Sequence, residues 1–363
     1  MLHIKRGKVI EILSRSKEKT KILVAVDEKE ERALNYNLIT GEVAVDDEVL
    51  LNTTAVELKL GTGGYHFVLY NLHSMSPSLE EDQGHIMKLR YTPLQLKVFA
   101  TEEQNHPNHH KFLEFQSLKE LPVIVGSLHS MLTPIAATLK YMNPNIKITY
   151  IMTDAAALPI YFSDTVYQLK EKSIVDSTIT VGHAFGGDLE AVNIYNGLIA
   201  AKEITACDIA IVTMGPGIVG TGTPYGFTGI EQGQILDAVK DLGGIPIGVP
   251  RISFSDPRER HYGISHHSLT VFSKIAKTKV RMILPILPDK EKKFLYEQLE
   301  YLNIHRKHTI IEEDGSILSE ALNQFNLSVK TMGRSLKDDT VFFLACSAAA
   351  VYGCGLLKNY YRK

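Results

Sequence analysis

The stretch CDIAIVTMGPGIVGTGT, residues 207–223, joins a continuous apolar run to a loop rich in glycine and threonine. A short apolar run bounded by turn residues is typical of a strand buried on both faces, as in a parallel sheet. Glycines directly after such a strand let the backbone turn and approach a ligand closely. The stretch therefore predicts an α/β domain with a binding loop at the end of a strand.

Six further apolar runs repeat this pattern roughly every thirty residues, which is the spacing of βαβ units. They are LPVIVG from residue 121, IKITYIMT from 146, STITVG from 177, IPIGVP from 245, VRMILPI from 280 and HTIIEE from 308. We predict a mainly parallel sheet flanked by helices as a three-layer sandwich, with a β/α barrel as the alternative.

Helix signals separate these runs. The predicted starts are Thr133 ahead of Pro134, Asp188 ahead of LEAVNIYNGLIAAKEI, Thr228 with Glu231 in a T-x-x-E capping box, and Ser265 ahead of HHSLTVFSKIAKT. Asn143-Pro144 is expected to end the first of these helices.

The N-terminal part consists of short β-type runs with turns between them that are too short for crossover helices. We expect a small antiparallel, barrel-like β module with a linker over residues 1–88 and the α/β domain over 89–363. Such barrels often bind nucleic acid, but acidic residues offset the basic ones here, so nucleic acid is not the expected partner.

Composition indicates an ordinary globular protein, with 44% hydrophobic residues, 22% charged residues and a formal net charge of −2. The three cysteines lie in apolar or small-residue surroundings without CxxC spacing, which is typical of reduced packing residues. No apolar signal segment or run of ~20 apolar residues is evident, so we expect a cytoplasmic protein without a membrane span.

Polar residues follow five successive predicted strands, at the places where α/β folds bind ligands. His129, His183 and Asp154 are candidate acid–base groups, and His261 is a fourth. A divalent metal is a variant of this site, with Asp154, Asp188 and His183 as its candidate ligands.

The loop after residue 214 predicts a phosphate-binding element, because glycine backbone N–H groups and threonine hydroxyls can surround an anion. Its candidate residues, with the serine that follows the first strand, are Ser127, Gly215, Gly217, Gly220, Thr221, Gly222 and Thr223. It lacks the lysine of a nucleotide-binding P-loop and departs from the dinucleotide spacing, so it names no nucleotide class.

The segment DPRERHYGISHHS, residues 256–268, adds further anion-binding candidates. Arg258 and Arg260 can each fork onto phosphate or carboxylate oxygens. His266 and His267 are also candidates, but adjacent residues of a helix point about 100° apart, so we expect at most one of them to face the site.

The segments GSLHS, TDAAALP, GHAFGGDLEAVN, MGPGIVGTGT, GFTGIEQG and PRISFSDPRERHYGISHH resemble, in this order, a bacterial family catalogued as domain of unknown function 3866. LLNTTAVELKLGTGGYHFVLYN and GHIMKLRYTPLQLKV extend the resemblance into the N-terminal part. The resemblance implies no substrate, cofactor or catalytic residue.

The first functional hypothesis is an enzyme, a hydrolase or group transferase, that acts on a small phosphorylated or nucleotide-like metabolite. The alternative is a non-catalytic sensor of such an anionic ligand, with the β module as its partner-binding element. The small-residue run ACSAAAVYGCGLL near the C-terminus suits close packing on another element or on a second copy of the chain.

Overall fold

The computed structural model describes residues 2–61, 63–73 and 84–360, with side chains as far as Leu357. The chain forms two units, Met1–Asp82 with Thr92–Leu94 and Gln83–Tyr91 with Gln95–Lys363. We call them the N-terminal unit and the α/β unit. The linker predicted before residue 88 lies partly outside the described residues, because 74–83 are not described.

Five strands of the N-terminal unit close into a barrel in the order β1-β2-β3-β5-β4. They are β1 (Ile4–Arg15), β2 (Lys19–Val26), β3 (Lys29–Tyr36), β4 (Glu48–Asn52) and β5 (His66–Asn71), with short helices α1 (Asn37–Thr40) and α2 (Thr54–Glu57). Every pair is antiparallel except β3 and β5. An odd number of strands cannot alternate in direction around a closed barrel, so one parallel pair is unavoidable. The predicted barrel-like module is confirmed.

The strands of the α/β unit follow in chain order. They are β6 (Ile86–Lys88), β7 (Leu96–Val98), β8 (Pro122–Val125), β9 (Ile148–Thr153), β10 (Ser177–Val181), β11 (Leu189–Ala191), β12 (Ile209–Met214), β13 (Ile245–Gly248), β14 (Ile252–Ser253), β15 (Gly263–Ile264), β16 (Arg281–Pro285), β17 (Thr309–Glu313), β18 (Lys330–Thr331) and β19 (Arg334–Ser335).

Eight of these strands form one sheet in the order β11-β10-β9-β12-β8-β13-β16-β17, and all neighbours are parallel. The sheet is open, which excludes the β/α barrel. β8, β9 and β12 are buried along their whole length because helices cover both faces.

The helices of the α/β unit form the two outer layers. They are α3 (His109–Leu113), α4 (Leu132–Met142), α5 (Asp164–Glu171), α6 (Ile194–Glu203), α7 (Glu231–Asp241), α8 (His266–Thr270), α9 (Asp289–Tyr301), α10 (Ile304–Lys307), α11 (Leu318–Gln324) and α12 (Thr340–Tyr360). One hydrophobic core joins α4, α5, α11 and α12 to one face of the sheet, and a second joins α6, α7 and α9 to the other. The predicted three-layer sandwich is confirmed.

Three of the four predicted helix starts are wrong, at Asp188, at Thr133 and at Thr228, which does not cap α7 (Glu231–Asp241). Asp188 does not begin a helix, because the chain first adds the edge strand β11 and then caps α6 with Asn193, whose side chain accepts from the Asn196 N–H at 3.1 Å. Thr133 does not cap α4, which begins one residue earlier, after a 3₁₀ turn at His129–Met131. The predicted stop at Asn143 is confirmed.

The small residues of α12 pack against other elements of the α/β unit. Cys346, Ala349 and Ala350 belong to the core shared with α4, and Thr138 of α4 donates a hydrogen bond to Ser347 of α12 at 3.0 Å. The window Thr340–Leu357 is long and apolar enough to cross a membrane, but 61% of it is buried. A single buried helix of this kind is typical of a protein core.

A buried ion pair stabilises the edge of the sheet near β10. The Lys88 ammonium, which is 1% exposed, donates to the Glu190 carboxylate at 2.5 Å and to the Ala184 carbonyl at 2.6 Å. The same carboxylate oxygen accepts from the Thr180 hydroxyl at 2.7 Å. Because every charge in this group has a close partner, it fixes β6 against the sheet.

Replacement of Lys88 by methionine keeps the side-chain volume but leaves the Glu190 charge buried without its partner. We expect Lys88→Met to lower the free energy of unfolding by about 3–5 kcal/mol, measured by urea denaturation. Lys293→Met removes an exposed lysine and should change this quantity by less than about 0.5 kcal/mol. Equal free energies of unfolding for Lys88→Met and Lys293→Met would show that the Lys88–Glu190 ion pair does not stabilise the edge of the sheet.

Candidate functional site

The connectivity of the sheet creates a crevice at its carboxyl edge. The helices after β8 and β9 cover one face, whereas those after β12 and β13 cover the other. Neighbouring strands in the order β9-β12-β8-β13 therefore send their chains to opposite sides. Open α/β sheets bind ligands where this divergence occurs.

A cleft of about 250 Å³ lies at this divergence. We call it the edge cleft. Its walls include groups from the loops after β8 and β12 and from the β18–β19 hairpin, namely His129, Ser130, Gly215, Gly217, Lys330 and Thr331. Two of the predicted phosphate-binding glycines therefore lie beside a predicted acid–base histidine.

His129 is held by hydroxyl groups on both ring nitrogens. Its Nδ1 lies 3.2 Å from the Tyr150 hydroxyl and its Nε2 lies 2.7 Å from Ser163 Oγ. Thr213 Oγ1 donates to the Met214 carbonyl, so it accepts from Tyr150 at 3.1 Å, and the Tyr150 oxygen in turn accepts from Nδ1–H. Burial lowers the pKa of His129 to about 4, so the ring is neutral at pH 7.

Glu231, at the start of α7, is a candidate proton carrier that the sequence analysis missed. Its carboxyl group accepts a 2.5 Å hydrogen bond from the Thr153 hydroxyl at the end of β9. Burial, with a smaller contribution from the Asp154 charge, raises the pKa of Glu231 to about 7. The T-x-x-E spacing was interpreted as a capping box, which is wrong, because Thr228 instead accepts from the Val219 N–H.

The rest of the glycine-rich loop forms an exposed hairpin. The Thr221 hydroxyl lies 2.9 Å from that of Thr223, and the Thr221 N–H and hydroxyl both donate to the Gly226 carbonyl. Gly220 and Gly222 belong to the same hairpin, and none of its residues from 220 to 226 lines the edge cleft. The predicted anion seat therefore reduces to the part of the loop at Gly215 and Gly217. Ser127 is buried against Gly229.

His183 and Asp154 form a separate group that fixes the turn after β10. Asp154 Oδ2 accepts from the His183 backbone N–H at 2.9 Å, and His183 Nδ1 accepts from the Leu89 N–H at 3.0 Å. A Cβ at Gly182, whose φ is +64°, would lie 2.2 Å from the same carboxylate. Only glycine therefore fits the turn. Neither His183 nor Asp154 lines the edge cleft.

Asp188 lies at the opposite end of β10. Its carboxylate accepts from the N–H and hydroxyl of Thr178 and pairs with Lys170 at 2.7 Å. Among the described residues, Asp154, Asp188 and His183 do not form a group of three converging ligands. The predicted metal-ligand set is therefore not brought together.

A different group of ligands does converge. We call His261, His266 and His267 the histidine cluster. One ligand nitrogen from each ring lies within 4.8 Å of the other two. The ring centroids of His266 and His267 are 4.1 Å apart, and both lie about 5 Å from that of His261. The rings of the two adjacent histidines therefore both approach His261, and neither ring lines the edge cleft.

Ser265 organises the histidine cluster. As predicted, it caps α8, where its Oγ accepts from the His267 N–H, and the same atom lies 2.7 Å from His261 Nδ1. His267 stacks on Phe227 with the ring planes 8° apart. The capping serine thus brings a ring from the preceding 3₁₀ turn against the first turn of the helix.

The rings of the histidine cluster are neutral. Burial, followed by the charge of Arg251, lowers the pKa of His261 to about 3. Burial, followed by the neighbouring His266, lowers that of His267 to about 4. Neutral imidazole is the form of histidine that binds metal ions.

Arginines surround Asp256 beside the histidine cluster. Arg258 forms a two-pronged pair with this carboxylate at 2.8 and 2.9 Å, and Arg251 donates to it at 2.9 Å. These contacts hold the pKa of Asp256 well below its usual range. Arg260 is exposed and forms no ion pair within the described part of the chain. Of the two predicted arginine forks, Arg258 is thus already engaged, and Arg260 is not.

The β18–β19 hairpin connects the two regions. Thr331 Oγ1 lies 3.1 Å from Ser130 Oγ at the edge cleft, and Arg334 Nη2 lies 3.4 Å from Asp256 near the histidine cluster. Arg334 also donates to Asp339 at 2.9 Å. The hairpin therefore contacts both the edge cleft and the group of charges near the histidine cluster.

The chain thus combines a three-layer α/β sandwich, which has a cleft where its strands diverge, with a small closed β barrel. The chain belongs to the family described as protein of unknown function DUF3866, whose model matches residues 32–350. Comparison with curated proteins and with solved structures gives no match.

The raised pKa of Glu231 makes the stability of the protein depend on pH. The folded state retains the Glu231 proton up to about pH 7, whereas the unfolded chain loses it near 4.5. Stability should therefore fall by about 3 kcal/mol as the pH rises through this window. In Glu231→Gln this loss is absent. The free energy of unfolding of the variant, minus that of the parent, should therefore be about 3 kcal/mol larger at pH 8 than at pH 4.

Urea denaturation at the two pH values measures this difference. Glu297→Gln changes an exposed glutamate in the same way and serves as the control. A stability difference between Glu231→Gln and the parent that stays constant from pH 4 to pH 8 would contradict the raised pKa.

Proposed function

We propose that the protein is an enzyme that acts on a small phosphorylated or nucleotide-like metabolite at the edge cleft, by hydrolysis or group transfer. The observation that carries the proposal is that His129, Lys330 and two glycines line one cleft at the divergence of β9, β12 and β8. Glu231 does not itself line this cleft but is hydrogen-bonded to Thr153 at the end of β9. The volume of about 250 Å³ favours a small ligand, because clefts for drug-sized molecules usually measure about 300–1,000 Å³.

Lys330 supplies the positive charge of the anion seat. It is exposed at the mouth of the cleft, and its ammonium forms no ion pair within the described part of the chain. Gly215 and Gly217 line the same cleft, and Gly217 has a φ of +110°, which glycine adopts without strain. A lysine facing glycine backbone suits a phosphate or carboxylate group.

Glu231 supplies the base. It is hydrogen-bonded to Thr153, which pairs in register with Met214, the residue before Gly215 at the cleft. A pKa of about 7 gives this carboxyl group comparable amounts of both protonation states at neutral pH, which is optimal for proton transfer. A water molecule between Glu231 and the cleft would complete the path.

His129 orients the ligand instead of carrying the proton. Its neutral ring is fixed by Tyr150 and Ser163, so it presents a rigid wall to the cleft. In this proposal Lys330 and the glycines bind the ligand, His129 positions it, and Glu231 transfers the proton.

A panel of phosphorylated and nucleotide-like metabolites tests the proposal by turnover and by calorimetric binding. For a substrate found in this way, kcat/KM should rise about tenfold per pH unit below pH 7 and level off above it, because Glu231 acts in its deprotonated form. Glu231→Gln should lower kcat by about 10²–10⁴-fold, and Lys330→Gln should mainly raise KM.

Glu297→Gln is the matched control and should retain the kinetics of the parent. Ligand binding without turnover across the panel would replace the enzyme by the sensor. Turnover that Glu231→Gln leaves unchanged would remove this residue from the mechanism.

A further inference from the structure

We propose that His261, His266 and His267 bind a divalent transition-metal ion, with Zn²⁺ as the defining case, and leave its fourth coordination position open to an anion. The site is distinct from the edge cleft and does not depend on the activity proposed there. It rests on the convergence of three imidazole rings and on nitrogens that the protein leaves without partners.

The spacing of the nitrogens fits a tetrahedral ion. Zn–N distances of about 2.0–2.1 Å place the ligand atoms roughly 3.4 Å apart. The ligand nitrogens of the histidine cluster already lie within 4.8 Å of one another. Binding therefore requires the three rings to move closer together around the ion.

Two of the three rings have a buried nitrogen with no hydrogen-bond partner. These atoms are His266 Nε2 and His267 Nδ1. A buried polar atom without a partner destabilises the folded state, and two of them in adjacent rings are unusual in a purely structural cluster. One metal ion between the rings satisfies both nitrogens at once.

The third ring has the orientation that metal-bound histidines share. The contact of His261 Nδ1 with Ser265 Oγ leaves Nε2 as the ligand atom. A hydrogen bond to the non-ligating nitrogen fixes the tautomer and direction of a metal-binding imidazole. The stacking of His267 on Phe227 restricts a second ring in the same way.

The charges around the histidine cluster select an anion for the open position. Three neutral imidazoles leave the full +2 charge on the ion, as in catalytic zinc sites with a free position. Arg251 and Arg258 are paired with Asp256 beside the cluster, so their charges are largely compensated. Arg260 is exposed and has no ion-pair partner within the described part of the chain. An anion in the open position can therefore bind the ion and Arg260 together.

Metal and anion should consequently bind cooperatively, and by linkage each should raise the affinity of the other by the same factor. Metal-stripped full-length protein without a histidine tag is titrated with Zn²⁺ by calorimetry, with and without inorganic phosphate. Co²⁺ serves as a spectroscopic probe, because its visible bands report nitrogen ligands and low coordination number directly.

The test compares His266→Gln and His267→Gln with His110→Gln, which alters an exposed histidine on α3. The parent and His110→Gln should bind one Zn²⁺ per chain and give the same Co²⁺ bands, and each cluster variant should bind at least tenfold more weakly. Arg260→Gln should retain Zn²⁺ binding but lose the enhancement by phosphate. Circular dichroism establishes that the variants are folded.

Failure of the folded parent to bind Zn²⁺ or to give tetrahedral-type Co²⁺ bands overturns the metal site, and this measurement needs no variant. Equal Zn²⁺ affinity in His266→Gln and the parent also overturns it. Zn²⁺ binding that phosphate leaves unchanged overturns the anionic fourth ligand. Since none of these readouts requires turnover, they remain informative even if the proposed enzyme activity fails.

Discussion

Parallel hydrogen bonding of eight strands is the constraint on which the rest of the structure depends. Because all eight run in one direction, their carboxyl ends lie at a single edge, and the central strands β8, β9 and β12 are buried by helices on both faces. Residues far apart in sequence, such as His129, Thr153 and Gly215, are therefore brought to that edge by the same hydrogen bonds that hold the core. The site needs no scaffold of its own.

Polar groups buried in the α/β unit fall into two kinds. Lys88 and Glu190 satisfy each other completely, so they stabilise the fold. Glu231 retains its proton near neutral pH, and the histidine cluster leaves two nitrogens without partners, so these groups lower stability as they stand. Groups that the fold leaves unsatisfied are the ones that a ligand can satisfy, and they lie along the carboxyl edge.

The sequence was sufficient for the layers of the fold, since apolar runs such as those at residues 121, 146 and 207 are long, regular and flanked by turns. It was insufficient where a side chain had two possible partners. Glu231 fits a capping box as well as a hydrogen bond to Thr153, and only tertiary packing selects the latter. His266 and His267 diverge along an isolated helix, but His261 approaches them from a separate turn and brings the three rings together. Asp188 lies directly before the edge strand β11 and not at the start of a helix, and its carboxylate pairs with Lys170.

The most direct test of this account is anomalous diffraction from crystals soaked in tungstate, a heavy analogue of phosphate. We expect a strong anomalous peak inside the edge cleft, with Lys330 and the backbone at Gly217 as its nearest groups. Peaks confined to other surfaces, with the cleft empty at saturating tungstate, would contradict the central claim that the carboxyl edge of the sheet assembles an anion site.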